Sequence, residues 1–356
     1  MEFISVLVVD DSAFMRKVIK DIINSDPLMQ VVGTAKNGQE ALLKVELLCP
    51  DVITMDIEMP EMDGLTALEI LMETNPVPVV MLSNLTQLGA KATIKALQLG
   101  AVDFIPKPSG AISLDIATIS EEIINKVKTA ASAHVIPSTR TAAHLITERV
   151  DKTSFKGNSG ENQLDKLVLI GASTGGPKAL QQIISALPGD IDAALLLVQH
   201  MPAGFTKSLA ERLNASSSIS VKEAEDGEPI LTGHAYVAPG GYHMRVHQQK
   251  LPLGDRMVIK LQQDEPRAGH RPSINEMFLS VAAQFAGEVT GVILTGMGND
   301  GTAALPALRN KGAWIIAEDQ SSCVIYGMPK SAIESGYVNE VLPLSEISAA
   351  IVKLLQ

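Results

Sequence analysis

The amino-acid sequence predicts an α/β protein of two units. In the first unit, from residue 4 onward, short apolar runs alternate five times with helix-periodic stretches, which indicates a doubly wound sheet of five parallel strands. A second alternation starts at Leu167 and contains nearly continuous apolar runs, as buried parallel strands do, so it predicts a three-layer α/β unit with a mainly parallel sheet. A chain of 356 residues is also too long for one ordinary core.

Composition and charge exclude several classes of protein. A hydrophobic content of 46% with 19% charged residues predicts a well-packed soluble protein. No apolar run reaches the roughly 18 residues of a membrane span, so we expect no membrane insertion. The net charge of −11 argues against binding to nucleic acid, which usually requires a basic surface.

The start of the chain and its cysteines point to the cytoplasm. Met1 leads directly into a strand, without the basic region and cleavage site of a signal peptide. Cys49 and Cys323 lie far apart and form neither a disulfide framework nor a metal-binding pattern, as is typical of a reducing compartment. We expect both cysteines to pack in the core.

The elements of the first unit follow from its alternation. We expect strands at residues 4–9, 31–35, 51–55, 79–83 and 103–105, separated by helices at 13–23, 39–48, 65–72 and 90–99 and followed by a helix from about residue 115. In such a sheet, ligands bind where the strands end at their carboxyl ends. The residues that follow each apolar run are therefore the candidates for a site.

Polar residues lie at the ends of four of these five strands: Asp10 and Asp11 after the first, Asp56 after the third, Ser83 as the last residue of the fourth, and Lys107 after the fifth. Three carboxylates converging on one edge repel one another unless a divalent cation lies between them. Mg²⁺ prefers such hard oxygen ligands, so we predict a magnesium site. The alternative is that the three aspartates only cap the helices that follow.

A stretch of small and polar residues separates the two units. Apolar periodicity fades after Lys128 and returns at Leu167, which predicts a flexible linker. We therefore divide the chain into residues 1–128, a linker at 129–165, and residues 166–356. The linker contains His134 and His144, which we expect to be solvated.

The second unit is predicted to combine core strands with hairpins. Core strands are expected at residues 167–170, 194–198, 289–294 and 314–317. Shorter apolar pieces at 235–238, 244–246 and 257–259, with glycine and proline between them, predict hairpins.

Ser173 lies where the first core strand turns into a helix. The sequence Gly-Ala-Ser-Thr-Gly at residues 171–175 has the Gly-x-Ser-x-Gly form, in which a sharp turn exposes the serine oxygen beside backbone N–H groups, and Pro177 suits the first turn of the helix. A phosphate-binding loop is the alternative, but it requires Gly-x-Gly-x-x-Gly or a Lys-Ser/Thr ending. The turn therefore predicts a nucleophile.

Two further strand ends supply partners for Ser173. His200 follows the second core strand and Asp300 lies in the glycine-rich loop after the third, so the three can meet as nucleophile, base and orienting acid. Their order along the chain differs from that of the α/β-hydrolases. Alternatively, His200 packs against its neighbours or caps a helix, and Asp300 is a turn residue. The backbone N–H groups near Met297 suit either an oxyanion or a substrate carboxylate.

The remaining polar residues have simpler interpretations. Ser273 and Glu276 have capping-box spacing at the start of a helix, and the basic residues just before them could line the approach of an acidic substrate. Four histidines show no ligand spacing and are expected on the surface or in a cleft. They are His234, His243, His247 and His270.

The first unit resembles the response-regulator receiver domain, which has a flavodoxin-like fold. The resemblance rests on Val-Val-Asp-Asp-Ser at residues 8–12, the segment 55–64 with its Met-Asp-Ile-Glu-Met-Pro start, Ser83, and Phe-Ile-Pro-Lys-Pro at 104–108. It implies that Asp56 accepts a phosphoryl group from a histidine kinase. It also implies that Mg²⁺ is held by Asp10, Asp11 and Asp56, and that the phosphoryl group and the switch involve Ser83, Phe104 and Lys107.

The second unit resembles the chemotaxis protein-glutamate methylesterase family. The motifs lie at residues 171–177, 199–202, 270–273, 294–301 and 322–329. The resemblance implies catalysis by Ser173, His200 and Asp300, an oxyanion hole that includes the backbone N–H of Met297, and no cofactor in the esterase domain. Asn275 departs from the aspartate expected in many relatives.

The family pattern implies a regulated enzyme. It would demethylate glutamate methyl esters on the cytoplasmic domains of methylated chemoreceptors, with glutamine deamidation as a second activity, and the receiver would cover Ser173 until Asp56 is phosphorylated. One alternative is a DNA-binding response regulator, which requires a basic recognition helix that this acidic chain does not display. Another is a serine hydrolase of small-molecule esters.

Overall fold

A computed structural model describes residues 3–84, 86–107, 116–135, 164–252 and 255–356. The chain forms two compact units, Met1–Leu145 and Ile146–Gln356. The point of division and most of the predicted linker lie outside the described residues. Among the described helices, none has the length and apolar character needed to cross a membrane.

Within the described residues, the first unit has five parallel strands in the order β2-β1-β3-β4-β5, which confirms the predicted doubly wound sheet. The strands are β1 (Ile4–Val9), β2 (Met29–Ala35), β3 (Val52–Asp56), β4 (Val79–Ser83) and β5 (Asp103–Pro106). The helices are α1 (Ala13–Asn24), α2 (Gly38–Leu48), α3 (Gly64–Thr74), α4 (Gln87–Leu99) and α5 (Ile116–Ala131). Helix α5 runs three residues past the predicted end of the unit at Lys128.

Side chains just before the helices fix where they begin. Ser12 accepts a hydrogen bond from the first turn of α1, and Asp63 does the same for α3, so each satisfies a backbone N–H that the helix leaves unpaired. The caps after β1 and β3 are therefore not Asp10, Asp11 or Asp56. These three carboxylates need another explanation.

In the part of the second unit that the structure describes, seven parallel strands lie in the order β14-β13-β12-β6-β7-β9-β8, with a separate antiparallel hairpin of β10 and β11. The strands are β6 (Lys166–Ala172), β7 (Ala194–Gln199), β8 (Ser220–Glu223), β9 (His234–Val237), β10 (His243–Gln249), β11 (Arg256–Gln262), β12 (Glu288–Ile293), β13 (Trp314–Glu318) and β14 (Glu340–Leu342). The helices are α6 (Gly176–Ala186), α7 (Phe205–Ser216), α8 (Ile274–Gln284), α9 (Leu305–Asn310), α10 (Met328–Glu334) and α11 (Leu344–Leu354). Apolar side chains of β6, β7 and α8 are fully buried between the layers.

Two sequence expectations fail in detail. The piece at 235–238 was predicted as part of a hairpin, but β9 joins the main sheet in parallel between β7 and β8 because its side chains are buried on both faces. Only β10 and β11 form the expected hairpin. Cys49 is exposed rather than in the core because it ends α2 in a left-handed turn with φ 44°, whereas Cys323 is buried as predicted.

Candidate active site

Three adjacent central strands bring the predicted triad to one edge of the sheet. β6 lies between β12 and β7, with Gly171 paired to Ile293 and Ala172 paired to Gln199. The backbone N–H of His200 donates to the carbonyl of Ala172 at 3.0 Å, which places the histidine directly beside the Ser173 turn. Ser173, His200 and Asp300 therefore follow neighbouring strands, as predicted.

The turn that carries Ser173 is held on both sides. The Ser173 N–H donates to the Thr295 carbonyl at 3.0 Å, and the Ser173 carbonyl accepts from Gly176 N and Gln199 Nε2, each at 2.8 Å. Gly175 has φ 81°, a conformation that favours glycine. Ser173 itself is half-buried, and these bonds hold its backbone in place.

His200 and Asp300 form a buried pair. His200 Nε2 lies 2.8 Å from Asp300 Oδ2. His200 Nδ1 is also buried. It forms no hydrogen bond with any described residue, so the Ser173 hydroxyl does not bond to it either. Catalytic hydrogen bonds are often long in a free enzyme and tighten when substrate binds. Nδ1 is thus the nitrogen of His200 that can accept a proton.

Asp300 is bound by the start of α8. Its Oδ1 accepts from Ser273 Oγ at 3.0 Å, Asn275 N at 3.1 Å and Gly301 N at 3.0 Å, and its Oδ2 accepts from Ile274 N at 2.7 Å. Burial alone would raise the pKa of Asp300, but the hydrogen bond and charge of His200 and the two α8 N–H groups outweigh it and lower the pKa to about 2. The carboxylate therefore stays ionised beside the His200 ring.

The predicted capping box at α8 does not form. The Ser273 side chain makes no cap hydrogen bond, because its hydroxyl donates to Asp300 instead. Glu276 does not reach back to Ser273 but pairs with Arg245 at 2.5 Å and Arg267 at 2.7 Å. Asp300 thus takes the place of the expected cap at the start of α8. The sequence predicted that Asp300 acts on His200, and the structure shows that it also binds this helix.

Two histidines lie closer to the site than the sequence predicted. The ring of His270 stacks on that of His200, with 3.8 Å between ring centroids and 8° between planes. His243 was expected on the surface or in a cleft but is fully buried, because its Nδ1 accepts from Ser273 N at 3.2 Å and its Nε2 bonds the Glu265 carbonyl at 3.2 Å. The sequence signal for His270 was its place just before the Arg-Pro-Ser segment that leads into α8, and His243 had no such signal.

The loop of residues 295–301 lies against Ser173. A Cβ atom at Gly296 would come within 2.6 Å of the Ser173 Cβ, so only glycine permits this approach. The loop is anchored by Glu318, whose Oε2 accepts from Thr295 N at 2.8 Å. Met297 follows Gly296 and is 52% exposed, so this residue stands at the mouth of the site.

The carboxyl edge of the first unit carries a second charged cluster. Lys107 Nζ lies 2.7 Å from Asp56 Oδ2 and 3.0 Å from Asp10 Oδ2. Carboxylate oxygens of Asp10, Asp11 and Asp56 all lie within 4.8 Å of one another. Burial raises the pKa of Asp56 to about 6, against the opposing effect of Lys107. Three hard oxygen donors with one ammonium group fit Mg²⁺.

The other predicted switch residues are both buried. The hydroxyl of Ser83 accepts from Thr93 Oγ1 at 2.6 Å and lies 3.3 Å from the Gly89 carbonyl, so it faces α4 here. Phe104 is 3% exposed, and the ammonium of Lys126 lies 5.0 Å from its ring centroid. Their roles at a phosphoryl group remain predictions.

Comparisons with known families match both units. Residues 6–118 match the family model described as the response regulator receiver domain, and residues 168–351 match the one described as CheB methylesterase. The crystal structure of the Thermotoga maritima CheB methylesterase catalytic domain is similar, with a TM-score of 0.51 and 42% sequence identity, covering 53% of this chain and 98% of that chain.

Full-length relatives are similar over nearly the entire chain. A protein of Syntrophomonas wolfei named protein-glutamate methylesterase/protein-glutamine glutaminase 1 is 52% identical over 350 residues, which cover 98% of this chain and 99% of the relative. A protein of Halalkalibacterium halodurans named protein-glutamate methylesterase/protein-glutamine glutaminase is 49% identical over 351 residues, with 98% of each covered.

Proposed function

The chain belongs to the CheB methylesterase family, and on that premise we propose that it hydrolyses glutamate methyl esters, and deamidates glutamines, on the cytoplasmic domains of chemoreceptors. As a member of that family it is a methylesterase and glutaminase with a receiver domain. The observation that carries the finer proposal is the buried His200–Asp300 pair beside the Ser173 turn. The cytoplasm is the compartment this substrate requires.

Catalysis would proceed by acyl transfer through Ser173. Its hydroxyl attacks the ester carbonyl while His200 Nδ1 takes the proton, and Asp300 holds the other ring nitrogen and stabilises the imidazolium. The negative oxygen of the tetrahedral intermediate would be bound by backbone N–H groups at Met297. Protonated His200 then gives its proton to the leaving methoxide, methanol departs, and water attacks the acyl-enzyme to release the carboxylate.

Control would come from Asp56 in the receiver domain. We propose that a histidine kinase donates the phosphoryl group, and that Asp10, Asp11 and Asp56 hold Mg²⁺, which would neutralise phosphoryl charge. Lys107, already 2.7 Å from Asp56, would bind a phosphoryl oxygen. A phosphoryl group adds about −1.5 to −2 charge and three acceptor oxygens. Ser83 would turn from α4 to this group, and Phe104 would move with it.

The test is methanol release from membranes that carry methylated receptors. Ser173→Ala is expected to lower the rate by roughly a thousand-fold or more, because the nucleophile is gone. Ser185→Ala, which changes an exposed serine on α6, is the matched control and should keep the wild-type rate. Methanol release by Ser173→Ala at the wild-type rate would overturn the mechanism.

A further inference from the structure

His270 has no part in the mechanism above, yet it contacts the base. It lies between β11 and α8, and its ring covers one face of the His200 imidazole at a centroid distance of 3.8 Å. The two planes differ by only 8°, so the contact is face to face. Such a contact restricts the tilt of the ring that it covers.

The backbone around His270 is fixed. His270 N donates to the Arg267 carbonyl at 2.9 Å and Arg267 N donates to the His270 carbonyl at 3.0 Å, which closes a tight turn. The next residue, Arg271, donates from Nη1 to the carbonyls of Gln263 at 3.2 Å and Asp264 at 2.9 Å. His270 therefore presents its ring from a rigid support rather than from a mobile side of the cleft.

A rigid neighbour matters because one hydrogen bond does not fix a ring. Asp300 holds His200 at Nε2 only, and the ring can still turn about that contact, since the terminal torsion of histidine is broad. Any such turn moves Nδ1, the nitrogen that would receive the Ser173 proton. Face-to-face contact with His270 opposes that turn and keeps water off the covered face.

The surroundings of His270 also disfavour a positive charge on its ring. Burial, together with the charge of His200, lowers the pKa of His270 to about 4, against the opposing effect of Asp300. His270 is thus neutral near pH 7 and does not compete for the proton. His200, with Asp300 at 2.8 Å, is the ring that can carry it.

We propose that His270 is a positioning residue that holds the plane of the His200 ring, so that Nδ1 faces Ser173 while Nε2 stays on Asp300. The proposal rests on the proposed function for the identity of the base, and it deepens that function. The same short segment also supplies Ser273 to Asp300. Residues 270–275 would therefore position the base and the acid together.

The test uses the full-length chain with ¹⁵N-labelled histidine rings, His200→Gln serving to assign the signal of the base. In the wild type, His200 is expected to carry its proton on Nε2 with Nδ1 bare. His270→Phe keeps a flat ring and should preserve this tautomer, with kcat within about threefold of the wild type. His270→Ala removes the flat ring and should lower kcat roughly ten- to a hundredfold with little change in KM, because Nδ1 turns away from Ser173, while the Asp300 bond still keeps the proton on Nε2.

Controls keep the outcomes distinct. His247→Ala, which removes an exposed histidine on β10, should change neither readout. If His270→Ala fails to fold, His270→Leu fills the same space without a flat ring and is measured instead. The proposal is overturned if loss of the flat ring leaves kcat unchanged, if it moves the proton off Nε2, or if His270→Phe is as impaired as His270→Ala. Failure of the proposed function would appear separately, as an active Ser173→Ala.

Discussion

At the scale of single residues, the site depends on how Asp300 keeps its charge. Its two oxygens accept hydrogen bonds from a serine hydroxyl, three backbone N–H groups and His200. A carboxylate bound this way stays ionised although it is only 4% exposed. It can therefore stabilise an imidazolium without taking up the proton itself.

This charge should appear in the stability of the protein. The pKa of Asp300 is lowered to about 2, below its unfolded value of about 3.9, so its ionisation stabilises the fold above about pH 4 and loses that effect as the pH falls through 2. The stability difference between wild type and Asp300→Asn should shrink by roughly 2 kcal/mol between pH 5 and pH 2. Urea unfolding across that range measures it, and a constant difference would contradict the assignment.

The meeting of Ser173, His200 and Asp300 at one edge of the sheet could be predicted from sequence, but the residues that support them could not. Ser173 and His200 directly follow apolar strands, and Asp300 lies shortly after a third. The hydrophobic periodicity located these strands, and the positions of their ends predicted that the three residues lie together. Ser273 and His270 belong to a segment outside the sheet, where spacing fits a capping box or an exposed histidine equally well. Ser273 bonds to Asp300, which is 27 residues away in the chain, and His270 stacks on His200, which is 70 residues away. No local pattern reports such contacts.

At the scale of elements, one strand end supports the loop beside Ser173. Glu318, the last residue of β13, is fully buried, and burial raises the pKa of its carboxyl group. Its Oε2 accepts from Thr295 N at 2.8 Å and its Oε1 accepts from Ser322 Oγ at 3.0 Å. The carboxyl group thus joins the 295–301 loop to the segment that begins after β13.

Removing this junction should impair turnover more than binding. Glu318→Ala leaves Thr295 N without its acceptor and frees the loop that carries Met297, so kcat should fall roughly tenfold or more while KM changes little. Glu318→Gln keeps one acceptor oxygen and should recover most of the loss. Methanol-release kinetics of the two variants measure this. A Glu318→Ala protein that is less stable but turns over normally would show that the residue only supports the fold.

The same elements explain which strands were predictable. The three central strands of the first unit, β1, β3 and β4, are largely buried on both faces, so their positions followed from alternation. β9 is four residues long and lies among glycine-rich turns, as hairpin strands also do. Its parallel pairing with β7 and β8 depends on burial by other elements, which its own sequence does not report.

The ends of β1 and β3 should bind Mg²⁺ through Asp10, Asp11 and Asp56. Saturating Mg²⁺ is expected to stabilise the receiver domain, by roughly 2.7 kcal/mol at a hundredfold excess over Kd, and EDTA should reverse this. Asp11→Ala removes an exposed ligand, so it should abolish the shift without unfolding the domain. Asp21→Ala, an exposed change on α1, is the control and should keep the shift. Thermal melting with and without Mg²⁺ measures this stabilisation as a shift in the melting temperature. An unaltered shift in Asp11→Ala would exclude this site.

At the scale of the whole molecule, the chain joins a receiver domain to a methylesterase domain. Alternating patterns on both sides of a polar stretch were enough to predict two α/β units in this order. The exact ends of each unit are harder to predict, because α5 continues to Ala131 without any change in helical character at Lys128. The predicted linker itself lies almost wholly outside the described residues.

Joining the domains in one chain predicts that phosphorylation sets the esterase rate. Asp56 is 3% exposed and touches Lys107, so a phosphoryl group must rearrange this buried contact. Coupling between two sites is typically about 1–3 kcal/mol, which corresponds to roughly a 5- to 150-fold change in rate. We therefore expect a small acyl phosphate with Mg²⁺ to raise methanol release by the wild type within that range.

The control is Asp56→Asn, which keeps the size of the side chain but cannot form the acyl phosphate. It should retain the basal rate and show no response to the donor, because Ser173, His200 and Asp300 lie in the other unit. Lys107→Ala should accept the phosphoryl group yet respond weakly, since the group that reads the phosphoryl charge is missing. Equal stimulation of Asp56→Asn and wild type would place the control of this esterase elsewhere than at Asp56.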